Sequence, residues 1–119
     1  AAGAEKAFGF AHRGTDKQLL VFEAPIDLLS YISLYPEGWK ENSYVALCGV
    51  SDQAMMKQLE QQPEVHEVFL CLDNDKAGHT ACARLTEQLH EQGAWKVERV
   101  CPQNKDWNDD LRAKRGGHG

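Results

Sequence analysis

The chain lacks the features that would place it in several familiar classes. It has no apolar run long enough to cross a bilayer, and its first ten residues, "AAGAEKAFGF", lack the apolar stretch of a secretory signal. It has no C-x-x-C pair among its four cysteines, Cys48, Cys71, Cys82 and Cys101, which argues against a zinc ribbon. Three of them, Cys48, Cys71 and Cys101, sit in or beside apolar runs, so reduced, buried cysteine and a cytoplasmic location are the expectations. It also lacks an excess of basic residues. The formal charge is −5, which is not the signature of a protein that grips nucleic acid by phosphate contacts alone. Disorder is excluded by composition, with 42% hydrophobic and 26% charged residues. A length of 119 residues suits one domain with one core.

What is present is an alternation of strand-like and helix-like segments. "QLLVFE" (18–23), "SYVALCGV" (43–50), "HEVFLCLD" (66–73) and "WKVERVCP" (95–102) read as four strands. Between them lie three helical patterns. In "PIDLLSYISLY", Ile26, Leu29 and Ile32 recur at helical spacing behind Pro25, joined by Leu28 and Tyr35. In "SDQAMMKQLEQQP", Ser51 or Asp52 caps the start, and Met55 and Met56 are packing residues. In "KAGHTACARLTEQLHEQG", Ala77, Ala81, Leu85 and Leu89 form one stripe that ends at Gly93. "NDDLRAKRGG" predicts a short last helix, and "KAFGFAHRG" an optional extra strand. The expected organisation is an N-terminal extension or extra strand over 1–17, an α/β domain over 18–115 and a flexible tail over 116–119.

Such alternation predicts a parallel sheet of about four strands with helices on both faces. Ligands of these sheets bind beyond the carboxyl ends of the strands. The residues expected there are Glu23 after the first strand, Gly49 and Ser51 after the second, Asp73, Asn74 and Asp75 after the third, and Lys105, Asp106, Asn108, Asp109 and Asp110 after the fourth. Three readings compete for these acids. Asp75 precedes a strong helix and suits an N-cap, but this leaves Asp73 and Glu23 unexplained. A phospho-accepting aspartate of the haloacid dehalogenase type would follow the first strand, and too little chain follows Asp75 for the rest of that fold. A divalent-metal site needs hard oxygen ligands and an open side, which Asp73, Asp75 and Glu23 can supply. Crowding of this kind also raises carboxylate pKa values, which suits Glu23 to proton transfer.

Three segments in order carry a family resemblance. "VFEAPIDLLSY" is similar to a Glu-Gly-x-x-Asp motif, "LDNDKAGHTA" to Asp-x-Asp-x-Ala-Gly, and "KDWNDDL" to a closing Lys-Asp-x-Asn/Asp motif. Together they resemble the Toprim domain of bacterial-type primases, type IA and II topoisomerases, and certain nucleases and recombination proteins. The primase-like branch is the best match, along with modules of plasmid- and transposon-borne proteins. The resemblance implies a Toprim (Rossmann-like) fold and magnesium- or manganese-dependent phosphoryl transfer on DNA or RNA with nucleotides. It implies a part in replication or mobile-element maintenance, within a longer polypeptide and with no membrane role.

Carried onto this chain, the motifs imply catalytic Glu23, Asp27, Asp73 and Asp75, metal ligands Glu23, Asp73, Asp75 and Asp106, and a secondary acidic motif at Asn108 and Asp109. Lys76, Lys105, Arg112, Lys114 and Arg115 are the candidate phosphate contacts. There are two departures. Ala24-Pro25 replaces the usual glycine after the glutamate, which stiffens the loop. Asn108 stands where many primases have Asp, which removes a charge from a second metal site. The rival expectations are a nuclease of the same fold and a non-catalytic module that binds nucleic acid or partner domains. His79 reads as a surface residue. Trp107 reads as a core anchor, with a base-stacking platform as the alternative.

Overall fold

The central strands are apolar on both faces because both faces are covered. In the computed structural model, which describes residues 10–48 and 52–116, five strands form one sheet in the order β1-β3-β2-β4-β5. The strands are β1 (Phe10–His12), β2 (Gln18–Phe22), β3 (Ser43–Ala46), β4 (Glu67–Leu70) and β5 (Lys96–Arg99). The four expected parallel strands are all present. The optional N-terminal strand is real as β1, which pairs antiparallel with β3 and places Ala11 opposite Val45. Gly49 and Ser51, and with them the Ser51 cap, lie outside the described residues, as do residues 1–9 of the extension and 117–119 of the tail.

The helices are α1 (Pro25–Leu34), α2 (Gln53–Gln61), α3 (Lys76–Gln92) and α4 (Trp107–Gly116). On one face Leu19, Val21, Val45, Val68 and Leu70 pack against Met55 and Leu59 of α2 and Leu85 and Leu89 of α3. On the other, Leu20, Phe22, Tyr44 and Ala46 pack against Leu28 of α1 and Trp107 of α4. Helices α1 and α3 therefore leave β2 and β4 on opposite faces and in opposite directions. Their divergence opens a crevice at the carboxyl ends of β2 and β4, where an open α/β sheet receives its ligand.

Several side chains lie elsewhere than the periodicity predicts. The stripe expected in α1 splits: Leu28 is buried and Ile32 packs against the core, whereas Ile26 is 55% exposed, Leu29 47% and Tyr35, just past the helix, 55%. Asp27 and Ser30 are buried in their place. This helix is apolar nearly all round, so spacing alone does not select the buried face. The buried face is the one that also carries Asp27 to the sheet edge. In α3 the buried stripe is Gly78, Cys82, Leu85 and Leu89, and Ala77 is exposed. Cys71 and Cys82 are buried, but Cys48 and Cys101, just past the ends of β3 and β5, are exposed, against the expectation of burial. No helix among the described residues is long and apolar enough to cross a membrane.

Candidate metal centre

Three loops deliver carboxylates to the crevice. Helix α1 starts at Pro25, whose missing N–H costs nothing in a first helical turn. Asp27 in that turn is 4% exposed, and one carboxylate oxygen accepts the Asn108 backbone N–H at 3.3 Å. Asp73 follows the buried residues Cys71 and Leu72 at the end of β4. Asp106 precedes α4, and its Oδ1 accepts the Asp109 N–H at 2.8 Å, so it caps that helix. Ligand oxygens of Asp27, Asp73 and Asp106 lie within 4.8 Å of one another.

The cluster is electrostatically uncompensated. No ion pair to these carboxylates is found among the described residues; the Arg13–Glu64 pair at 4.0 Å joins other segments. Burial, reinforced by Glu23, Asp27, Asp106 and Asp75, pushes the Asp73 carboxyl up to about 7. Burial also raises Asp27, against the lowering effect of the Asn108 N–H, with Asp106, Glu23 and Asp109 adding to the rise. Asp73 Oδ1 is buried and accepts no hydrogen bond. A buried carboxylate oxygen without a donor is costly, and the usual remedy is a donor or a cation. Three hard oxygen donors on an open edge fit magnesium or manganese.

The remaining expected residues divide clearly. Asp75 caps α3: its Oδ1 accepts the Gly78 N–H at 2.7 Å, and it stands outside the three acids whose oxygens converge, though close enough to raise Asp73. Glu23 is half-buried beside the cluster, close enough to raise both Asp73 and Asp27. Asn108 faces α1, with its N–H on Asp27 and its Oδ1 3.4 Å from the Ser30 hydroxyl that donates to it. Lys76 and Lys105 are exposed beside Asp75 and Asp106, and Arg112, Lys114 and Arg115 are exposed farther along α4. His79 is exposed, as expected. Trp107 is a core residue: its indole N–H donates to the Cys71 carbonyl at 2.9 Å, and its ring meets Tyr31 edge-on at 4.9 Å.

The chain's x in Asp-x-Asp also matters. The Asn74 N–H donates to the Lys105 carbonyl at 2.6 Å and its amide to the Pro102 carbonyl at 3.1 Å, joining the loop of Asp73 to the loop of Asp106. Sequence reasoning placed Asn74 at this strand end without a role and missed Arg99, whose guanidinium also bonds backbone carbonyls there, because such partners leave no trace in residue identity.

Gly78 lies so close to this turn that a Cβ there would collide with the Asp73 carbonyl oxygen. Gly78→Ala is expected to cost about 2 kcal/mol in urea unfolding, in the range of other overpacked positions. A cost below about 0.5 kcal/mol would show that the turn has room to spare.

The sequence model of a family described as Toprim-like matches residues 20–111. The chain belongs to the Toprim-like family. Among curated proteins, this Toprim-like chain is similar to an uncharacterised protein of Bacillus anthracis. The two are 29% identical over 113 residues, covering 83% of this chain and 33% of that protein. An uncharacterised protein of Mycoplasma genitalium is 38% identical over 64 residues, covering 53% of this chain and 29% of that one. The chain thus spans about a third of the length of the curated relatives it matches. Its fold is shared with the primase fragment of the bacteriophage T7 primase-helicase protein, at a TM-score of 0.61 and 21% identity, covering 86% of this chain and 40% of that one. It is shared also with the primase domains of bacteriophage T7 in a complex with the lagging-strand DNA polymerase, an RNA/DNA hybrid and dTTP. There the TM-score is 0.63 and the identity 24%, covering 86% of this chain and 49% of that one.

Proposed function

We propose that this Toprim-like domain is a magnesium-dependent phosphoryl-transfer module of the primase type, which joins nucleotides on a nucleic-acid template as part of a longer protein. The observation that carries the reading is the Asp27–Asp73–Asp106 cluster, three carboxylates within 4.8 Å with a buried, unpartnered Asp73 oxygen among them. These three residues would hold the cation, which when bound would neutralise charge developing on the phosphate. Glu23, beside them and less buried than Asp27, would accept the proton of an attacking strand hydroxyl on a carboxylate oxygen. The freed hydroxyl oxygen then bonds to the α-phosphorus of a nucleoside triphosphate, and pyrophosphate leaves. Lys76 and Lys105 flank the acids and would pair with phosphate oxygens, while Arg112, Lys114 and Arg115 extend that contact along α4. The charge of −5 suits this arrangement, because cations bridge an acidic edge to a phosphate backbone.

Calorimetric titration with Mn²⁺ and Mg²⁺ is the first test, and saturable binding is expected. No binding of either ion would remove the metal reading. The longer protein, supplied with template and nucleotides, is expected to make short primers, and Glu23→Gln to abolish them. Cation-dependent nicking of added DNA by this domain, lost in Glu23→Gln, would instead assign strand cleavage.

A further inference from the structure

Arg99 stands at the end of the outer strand β5, opposite Leu70 in the register, yet its side chain does not run out to solvent. The guanidinium folds back across the end of β4. One terminal nitrogen donates to the Leu70 carbonyl at 3.3 Å and the Leu72 carbonyl at 2.7 Å, and the other to the Asp73 carbonyl at 2.7 Å. That second nitrogen also donates to His79 Nδ1 at 3.3 Å, which places the proton of a neutral His79 on Nε2. A rigid planar fork therefore holds three carbonyls over the last residues of β4, including that of a cluster aspartate. The same Asp73 carbonyl is the group that leaves no room for a side chain at Gly78. Pinned from one side by Arg99 and from the other by α3, the Asp73 backbone has little freedom to shift, which fixes the point and direction from which its side chain leaves toward Asp27 and Asp106.

We propose that Arg99 is a positioning residue for the Asp27–Asp73–Asp106 cluster, setting its affinity for a divalent cation through the backbone that carries Asp73. The inference rests on the metal reading above. Arg99 makes no ion pair with the cluster carboxylates among the described residues, so it leaves their charge for the cation. It acts through geometry, as groups that orient metal ligands do, where loss typically costs 10- to 100-fold in affinity. Lysine cannot reproduce the fork, because a single ammonium cannot span three carbonyls in a fixed plane.

Mn²⁺ binding is measured by calorimetry and by the electron paramagnetic resonance spectrum of the bound ion, well below each variant's Tm. Arg99→Met is expected to weaken binding about 10-fold and to broaden the spectrum. Arg99→Lys is expected to recover part of that loss, and Arg99→Gln replaces Arg99→Met if the latter does not fold. Val97→Ala, which trims the same strand without touching the β4 carbonyls, is expected to lower Tm and leave the affinity unchanged. If the parent binds Mn²⁺ and the Met or Gln variant binds it within about twofold, the inference is overturned while the metal reading stands. Equal weakening by Val97→Ala at matched Tm loss would reduce Arg99 to a strand stabiliser and overturn it too. A parent that binds no Mn²⁺ overturns both.

Discussion

Asp73→Asn is expected to raise the Tm of the metal-free domain at pH 8 while abolishing cation binding. Asp73 carries the strongest electrostatic strain in the cluster, with its carboxyl pushed up to about 7 by burial and by the acids around it. The direction of the pH dependence follows from linkage. Between the unfolded value of 3.8 and the folded value of about 7, the unfolded chain gives up the proton that the folded chain keeps. The stabilisation is therefore complete below pH 3.8 and is lost as pH rises to about 7, beyond which the slope ends. An asparagine carries no charge at any of these pH values, and its amide can donate to the neighbouring carboxylates. After discount for solvent screening, the relief at pH 8 is about 1 kcal/mol, or about 5 °C in Tm for a domain of this size. Thermal melts in EDTA from pH 4 to pH 8 test this. The parent should lose stability across the window, and the variant should lose less. In excess Mn²⁺ the ranking should invert, since only the parent gains binding free energy. A variant less stable than the parent in EDTA at pH 8 would show that the cluster is not strained.

The second large effect concerns Trp107. Its ring is 3% exposed, meets Phe22, Tyr31 and Tyr35, and its N–H holds the Cys71 carbonyl. Trp107→Ala is expected to cost about 4 kcal/mol in urea unfolding, a large part of the 5–15 kcal/mol typical of a domain. Trp107→Phe keeps most of the packing and gives up the hydrogen bond, for about 1 kcal/mol. Equal losses in the two variants would assign the effect to the hydrogen bond instead. Because Trp107 follows Asp106 directly, cation affinity should fall with the Ala variant and persist with Phe.

The parts of this design that depend on long apolar runs were legible in the sequence. "QLLVFE" and "HEVFLCLD" read as strands and are the central β2 and β4, and the acids at their ends pointed to the sheet edge. The arrangement of those acids was less legible. Spacing suggests that Asp73 and Asp75 share one ion, with Asp75 also suited to cap the helix; the cap is there through its Oδ1, but the three oxygens that converge are those of Asp27, Asp73 and Asp106. Asp27, assigned to catalysis by the resemblance rather than to the ligands, is the residue whose oxygen meets Asp73 and Asp106. The face of α1 was only partly legible: Leu28 and Ile32 meet the core as expected, but Ile26 and Leu29 on the same apolar helix face outward.

The spread of the cluster along the chain has a kinetic consequence. Asp27, Asp73 and Asp106 come from α1, the end of β4 and the start of α4, so no hairpin or single βαβ unit contains all three. An ion that needs all of them finds no foothold on an incomplete chain and cannot template its assembly. Its contacts are absent from any early transition state. Such an ion leaves the rate of folding unchanged and lengthens the lifetime of the folded domain, acting as a latch that closes last and opens first.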